Sequence, residues 1–148
     1  MFEQQSGKDN HMKKLLICVS AMTIAACTHV PNKIEGNQAF FAFDSAQISK
    51  DARKELESQA LFLKKNPDTY IVLEGRCDER GSSEYNMALG ALRAGNAAHV
   101  ITQNGVESER VKTISFGKEN PIYVGTGEEV WQKNRNTTTR VRQMKKAE

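Results

Sequence analysis

The stretch Ile71 to Ala94, IVLEGRCDERGSSEYNMALGALRA, decides how this chain is to be read. An apolar, β-branched run ends in Glu74-Gly75 and gives way to a charged turn, Asp78-Glu79-Arg80-Gly81. The unbroken apolar character of Tyr70 to Leu73 predicts a strand buried on both faces. A serine pair follows the turn, and Ser83 is the expected cap of a helix running from Glu84 to about Asn104. Its apolar stripe is Tyr85, Ala88, Leu89, Leu92, Ala97 and Val100, spaced for one helical face. Gly105 is the expected C′ residue, closing the helix with a left-handed turn. A strand, a tight turn and a capped helix in this order make one βα unit.

Working outward, Phe40-Phe41-Ala42-Phe43 reads as a short aromatic strand ended by Asp44-Ser45. Ser49 is the expected N-cap of another helix, with Asp51 in its first turn and apolar residues at Ala52, Leu56, Ala60 and Leu63. Leu61 and Phe62 widen that stripe, Lys64-Lys65 suit the negative end of the helix dipole, and Asn66-Pro67 stops the helix. Val111 to Phe116 reads as a strand, Gly117 to Gly127 as a loop, Glu128 to Asn134 as a short helix around Trp131, and Thr137 to Gln143 as a final strand. Strands alternating with helices predict an α/β (α+β) sandwich, with the helices packed on one side of a small sheet.

The N-terminus carries a second signal. Lys13-Lys14 precede an apolar run, Leu15 to Ile24, too short to span a bilayer, and Ala25-Ala26-Cys27 follow. A basic segment, a short apolar core and small residues before a cut site describe a secretory signal. Cys27 after these small residues resembles the acylated cysteine of a bacterial lipobox, and Thr28 in the next position favours the outer membrane. The expected organisation is an over-extended start at residues 1–11, a signal at 12–26, an acylated Cys27 with a short tether to residue 39, and one domain over 40–144. Cleavage before Cys27 removes Lys8, Lys13, Lys14, Glu3 and Asp9, so the formal charge falls from +3 to +2. That gives no electrostatic case for nucleic acid. Cys77 is then the single thiol not in the signal or acylated, so no internal disulfide staples the fold. The three histidines are scattered, no cluster has metal-ligand spacing, and no cofactor is expected.

The order of blocks from Glu74-Gly75 through D-E-R-G, Tyr85-Asn86, Leu89-Gly90 and Arg93-Ala94 resembles the OmpA-like peptidoglycan-binding domains. Among these it is most similar to the peptidoglycan-associated lipoprotein branch. The likeness runs from about Phe40 to about Arg142. It implies a βαβαβ core with mixed strand directions and a pocket for diaminopimelate of the wall's stem peptide. That ligand's free end is a zwitterion, which needs a carboxylate for its ammonium and a guanidinium for its carboxylate. A guanidinium suits the second task because its planar fork holds both oxygens. The resemblance assigns these roles to Asp78 and Arg93. It adds Phe43, Asp44 and Leu89 to the pocket lining, and Asn134-Arg135 as the block before the last strand. Tyr85 and Trp131 read as packing residues. The family also implies docking to TolB, the propeller protein of the Tol system.

The leading expectation is therefore a non-enzymatic outer-membrane lipoprotein that grips peptidoglycan. The alternative is an adaptor lipoprotein of an envelope secretion or conjugation machine with weak wall binding. Arg76-Cys77 favours it, because a cation beside Asp78 competes with the ligand's ammonium. So does the last strand, where Asn136, Thr137, Thr138, Thr139 and Arg140 bury little apolar surface. A wall hydrolase has no support: no nucleophile–base motif or paired carboxylates stand in a recognisable frame, and the pair Cys77 and His99 is a poor dyad.

Overall fold

A computed structural model describes residues 30–143; the signal segment, Cys27 and the last five residues lie outside the described residues. Its elements are β1 (Gln38–Phe40), α1 (Lys50–Lys65), β2 (Thr69–Arg76), α2 (Ser83–Gln103), a 3-10 turn at Ser108–Arg110, β3 (Val111–Gly117), α3 (Glu128–Asn134) and β4 (Asn136–Gln143). The strands form one mixed sheet in the order β1-β4-β2-β3. β4 runs antiparallel to both β1 and β2, while β2 and β3 are parallel. The chain thus makes two helix crossovers, β1-α1-β2 and β2-α2-β3, and β4 slots between the first two strands.

Both helices cover the same face. Ile71, Leu73 and Gly75 of β2 are buried beneath α2, and Thr139, paired with Leu73, donates its hydroxyl to Gln59 Oε1 of α1 at 2.6 Å. Between helices and sheet lies an apolar core that includes Ile34, Ala39, Leu56, Leu63, Ile71, Leu73, Ala97 and Ile101. Because that cover is one-sided, β2 is not buried on both faces as its composition suggests. It alternates, with Tyr70, Val72 and Glu74 half-buried on the far side. It also continues past Glu74-Gly75 to Arg76.

α1 follows its sequence signals closely. Ser49 Oγ accepts from the Ala52 N–H at 3.1 Å, and the buried set Ala52, Leu56, Gln59, Ala60 and Leu63 forms its core face. Asn66 caps the end, its amide donating to the Phe62 carbonyl at 2.8 Å. Arg110 binds the carbonyls of Leu63, Asn66 and Thr69, fastening the helix end to β2.

α2 departs from expectation in two ways. Its cap is Ser82, whose Oγ accepts from the Tyr85 N–H at 3.1 Å, while the Ser83 hydroxyl turns away to Glu119. Gly81 causes the shift: at φ +90 it turns the chain so that Ser82 takes the extended conformation a cap requires. The buried face is Asn86, Gly90, Arg93, Ala94, Ala97, Val100 and Ile101, whereas Tyr85, Ala88 and Leu92 are exposed. In its first half the helix presses small residues against the sheet, and the apolar periodicity there points to solvent. Gly105 does close the helix at φ +87.

Three further stretches behave differently from their composition. The aromatic strand is displaced, with β1 ending at Phe40. Phe41 N–H still reaches the Arg135 carbonyl at 2.8 Å, but Ala42, Phe43 and Asp44 leave the sheet, and Asp44 turns the chain at φ +51. Residues 34–39, expected in the tether, belong to the fold: Ile34 is fully buried and Gly36 N–H donates to the Thr139 carbonyl. The threonine-rich β4 occupies the middle of the sheet, with Asn136 to Thr139 buried. The Thr138 and Thr139 hydroxyls and the Asn136 amide find partners there, while the buried Thr137 hydroxyl has none among the described residues.

Candidate functional site

The carboxyl ends of β1 and β2 and the first turns of α2 enclose an open cleft of about 380 Å³. Crevices outside strand carboxyl ends are where sheets of this kind usually take ligands. Phe43 and Asp44 come from the loop after β1, Asp78 from the turn after β2, and Leu89 and Arg93 from α2. These five expected site residues, 50 positions apart in sequence at their extremes, thus line one space. Arg135 does not line it. The side chain approaches from behind, its Nη1 donating to Asp78 Oδ2 at 3.3 Å. Asn134 is elsewhere: its side-chain oxygen accepts from the Ile122 and Tyr123 N–H groups and its amide donates to the Tyr123 carbonyl. It fastens the loop before α3, a structural task that its place beside Arg135 does not reveal.

Arg93 is 1% exposed. Nε donates to the Ser45 carbonyl at 2.8 Å, Nη1 to the Arg76 carbonyl at 2.8 Å and Nη2 to the Ala42 carbonyl at 3.1 Å. The guanidinium therefore ties α2 to both the loop after β1 and the end of β2, stacking 5.3 Å from the centre of the Phe41 ring. Three of its five N–H donors are so committed among the described residues. Burial lowers its pKa from the ordinary value, and the nearby Arg135 charge acts the same way, against the Cys77, Asp78 and Asp44 groups.

Asp78 is also buried and fully engaged. Oδ1 accepts from Arg80 N–H and from Arg80 Nε, each at 3.1 Å, and Oδ2 accepts from Arg80 Nη2 at 2.6 Å. Burial alone raises this carboxyl, but hydrogen bonds from the Arg80 side chain and backbone and from Arg135 outweigh it and hold the pKa below the ordinary 3.8. Asp78 is thus an anion at neutral pH. Asp44 accepts a hydrogen bond from the Tyr85 hydroxyl, whose own pKa that bond raises.

Several contributors were not legible as site residues. Tyr85, read as packing, is 52% exposed and walls the cleft. Arg80 lies 4.0 Å from the centre of the Phe43 ring and 4.2 Å from that of Trp131. Trp131 in turn donates its ring N–H to Glu79 at 2.9 Å, docking α3 onto the charged turn. The expected competitor Arg76 is absent from the cleft. Strand alternation turns it to the far face, where it pairs with Glu74 at 2.7 Å, donates to the Asn120 carbonyl and stacks on Phe116. Cys77 faces inward, its Sγ 3.4 Å from the Asn86 carbonyl, and burial pushes its thiol pKa up. That is the environment of an inert protonated thiol.

Chemically, the cleft offers two carboxylates, two guanidinium groups and two exposed aromatic rings within one small space. Such a surface complements a zwitterion better than a simple anion or cation. Among the described residues no group of three or more His, Cys, Asp or Glu could hold a metal ion, and no helix is long and apolar enough to cross a membrane.

The profile of the OmpA family matches residues 40–135. A protein of Agrobacterium fabrum named Peptidoglycan-associated lipoprotein is 43% identical over 104 residues, covering 70% of this chain and 59% of that protein. A protein of the same name from Haemophilus influenzae is 32% identical over 143 residues, covering 84% of this chain and 94% of its own length. The crystal structure of the peptidoglycan-associated lipoprotein from Burkholderia pseudomallei is 34% identical with a TM-score of 0.69, covering 71% of this chain and 89% of that one. The match spans about three fifths of the Agrobacterium and Mesorhizobium relatives.

Proposed function

The chain belongs to the OmpA family, and from that membership we propose that it is a peptidoglycan-associated lipoprotein whose cleft holds diaminopimelate of the wall without covalent chemistry. The observation that carries this reading is the convergence of Phe43, Asp44, Asp78, Leu89 and Arg93 on one cleft. Asp78 receives the ligand's ammonium and Arg93 its carboxylate. The role is that of a grip, not a catalyst. Each contact can be modest, because many copies on one wall act multivalently.

The adaptor alternative loses one feature that favoured it: Arg76 points to the opposite face of the sheet, away from Asp78.

Binding of the purified chain to intact sacculi, with free diaminopimelate as competitor, tests the proposal. Asp78→Asn is expected to weaken binding at least about tenfold, the loss of one charge-assisted contact. Parental binding by a folded Asp78→Asn variant would remove Asp78 from the site. The pH dependence has a definite sign. A carboxyl held below 3.8 is ionised at every pH above that, so capture of the ammonium fails only as pH falls through the lowered value. The same group stabilises the fold above its unfolded pKa, and that contribution is lost over the same acidic window.

Anchoring belongs to the same reading: acyl chains on Cys27 hold the chain in the outer membrane with the domain in the periplasm. Cys27→Ser is expected to abolish labelling by a palmitate analogue, and persistent label would place the anchor elsewhere. Docking of TolB is checked by co-purification from crosslinked envelopes, and its absence there would detach the chain from the Tol system.

A further inference from the structure

The Asp78 carboxylate is occupied by the protein's own cation. Arg80 grips it with Nε and Nη2 at 3.1 and 2.6 Å, and the two side chains are 33% and 5% exposed. The guanidinium covers the carboxylate from the solvent side, held between the Phe43 and Trp131 rings. Arg135 takes a remaining position on Asp78 from behind. An ammonium arriving at Asp78 therefore meets a site already filled by the same charge in a stronger, bidentate geometry.

Arg80 also has a second place to go. Glu128 on α3 lies 3.7 Å from its Nη2 and is 60% exposed, with its other oxygen 2.6 Å from Arg135. The four side chains close a ring of alternating charge, Asp78, Arg80, Glu128 and Arg135. A short swing from Asp78 to Glu128 frees the carboxylate while keeping the guanidinium paired and beside Trp131. The ring that positions Asp78 thus contains both a closed and an open seat for Arg80.

We propose that Arg80 is a specificity-determining latch: binding at this cleft is an exchange of cations, in which the ligand's ammonium displaces Arg80 from Asp78 onto Glu128. The inference rests on the zwitterion reading given above and adds a cost to it. A site whose competent state is sparsely populated binds more weakly by that fraction. Only a ligand with a full positive charge recovers the lost pair, so the latch rejects neutral and N-blocked analogues that fit the cleft.

The test uses the full chain with free diaminopimelate and its N-acetylated derivative, measured by calorimetry, alongside binding to sacculi. Arg80→Ala and Arg80→Gln are expected to bind diaminopimelate about tenfold more tightly than the parent. Both should also accept the N-acetylated derivative, which the parent refuses. Glu128→Gln should weaken binding in the parent and have little effect in the Arg80→Ala background, a non-additivity that a purely structural role does not produce. The Gln variant guards against loss of folding in the Ala one, because it keeps the stem that covers Asp78. If the parent binds with Asp78 dependence but neither Arg80 variant binds more tightly, the latch is wrong and the site stands. If Asp78→Asn changes nothing in a parent that binds sacculi, or if the parent does not bind, both readings fall together.

Discussion

Gly75→Ala is expected to cost the domain about 3 kcal/mol or more, the upper end of what overpacking costs, because no side chain can move to relieve it. A Cβ at position 75 would stand 1.9 Å from the Gly90 carbonyl oxygen and 2.7 Å from its carbon. Both atoms are backbone, so the whole of α2 must lift off the sheet. The same crossing is tight from the other side. A Cβ at Gly90 would meet Ser115 Oγ at 2.4 Å, and that hydroxyl already donates to the Met87 carbonyl. Against a typical total stability of about 5–15 kcal/mol, this is a large fraction. Lifting α2 also withdraws Leu89 and Arg93 from the cleft, so the damage extends from stability to the site. The midpoint of urea unfolding measures it. Gly95→Ala is the matched control: nothing lies within 4 Å of a Cβ there, and the helix should gain about 0.8–1.0 kcal/mol. A Gly75→Ala midpoint equal to the parent's would mean that helix and sheet do not cross this closely.

That crossing also explains which parts of the fold could be read from the sequence. α1 and α3 carry their own signals: a serine cap and an Asn-Pro stop on one, glycine and a following strand on the other. Their boundaries match those signals. The apolar periodicity of α2 fails in its first half because the contact there is made by Gly90 and Ala94, which add nothing to a hydrophobic stripe. Tyr85, Ala88 and Leu92 supply the stripe and face the solvent. The expected strand Phe40 to Phe43 fails for a long-range reason. Arg93, some fifty residues away, collects the carbonyls of Ala42 and Ser45 and draws that segment out of the sheet. No local preference encodes such a contact.

The site was legible as a set of residues but not as a state. Asp78, Arg93, Phe43, Asp44 and Leu89 line one cleft; the turn between β2 and α2 sets the spacing of Asp78, Leu89 and Arg93, while Phe43 and Asp44 are brought in by the loop after β1. The competing cation was expected at Arg76, although strand parity alone places Arg76 opposite Gly75 and away from the helices. The cation the structure pairs with Asp78 is Arg80 instead. It sits in an irregular turn, where side-chain direction follows from Gly81, Asn86 and the approach of α3. The Asn86 amide, for example, holds the Arg80 carbonyl at 2.7 Å. Periodicity has no purchase on such a position.

Arg93→Ala is the second variant with a large expected effect, and here the structure revises a simple binding-site view. From sequence the change should spare the fold and greatly weaken sacculus binding. The observed side chain is almost wholly buried, however, and supplies hydrogen bonds to three backbone carbonyls. Hydrogen bonds from a charged donor contribute roughly 1.5–3 kcal/mol each, and their acceptors become unsatisfied on truncation. A loss of about 3 kcal/mol or more is expected, together with loosening of the loop that carries Phe43 and Asp44. Arg93→Lys should recover little of either, because one ammonium on a flexible stem cannot reproduce a planar fork reaching three directions. Sacculus binding should fall further than in Asp78→Asn, since one wall of the cleft goes with the guanidinium. Unfolding midpoints and sacculus binding measured on the same preparations separate the two roles. An unchanged midpoint in Arg93→Ala would contradict the structural one. A destabilised but folded variant that still bound like the parent would assign the ligand's carboxylate to some other donor, leaving Arg93 as the clasp that shapes the cleft.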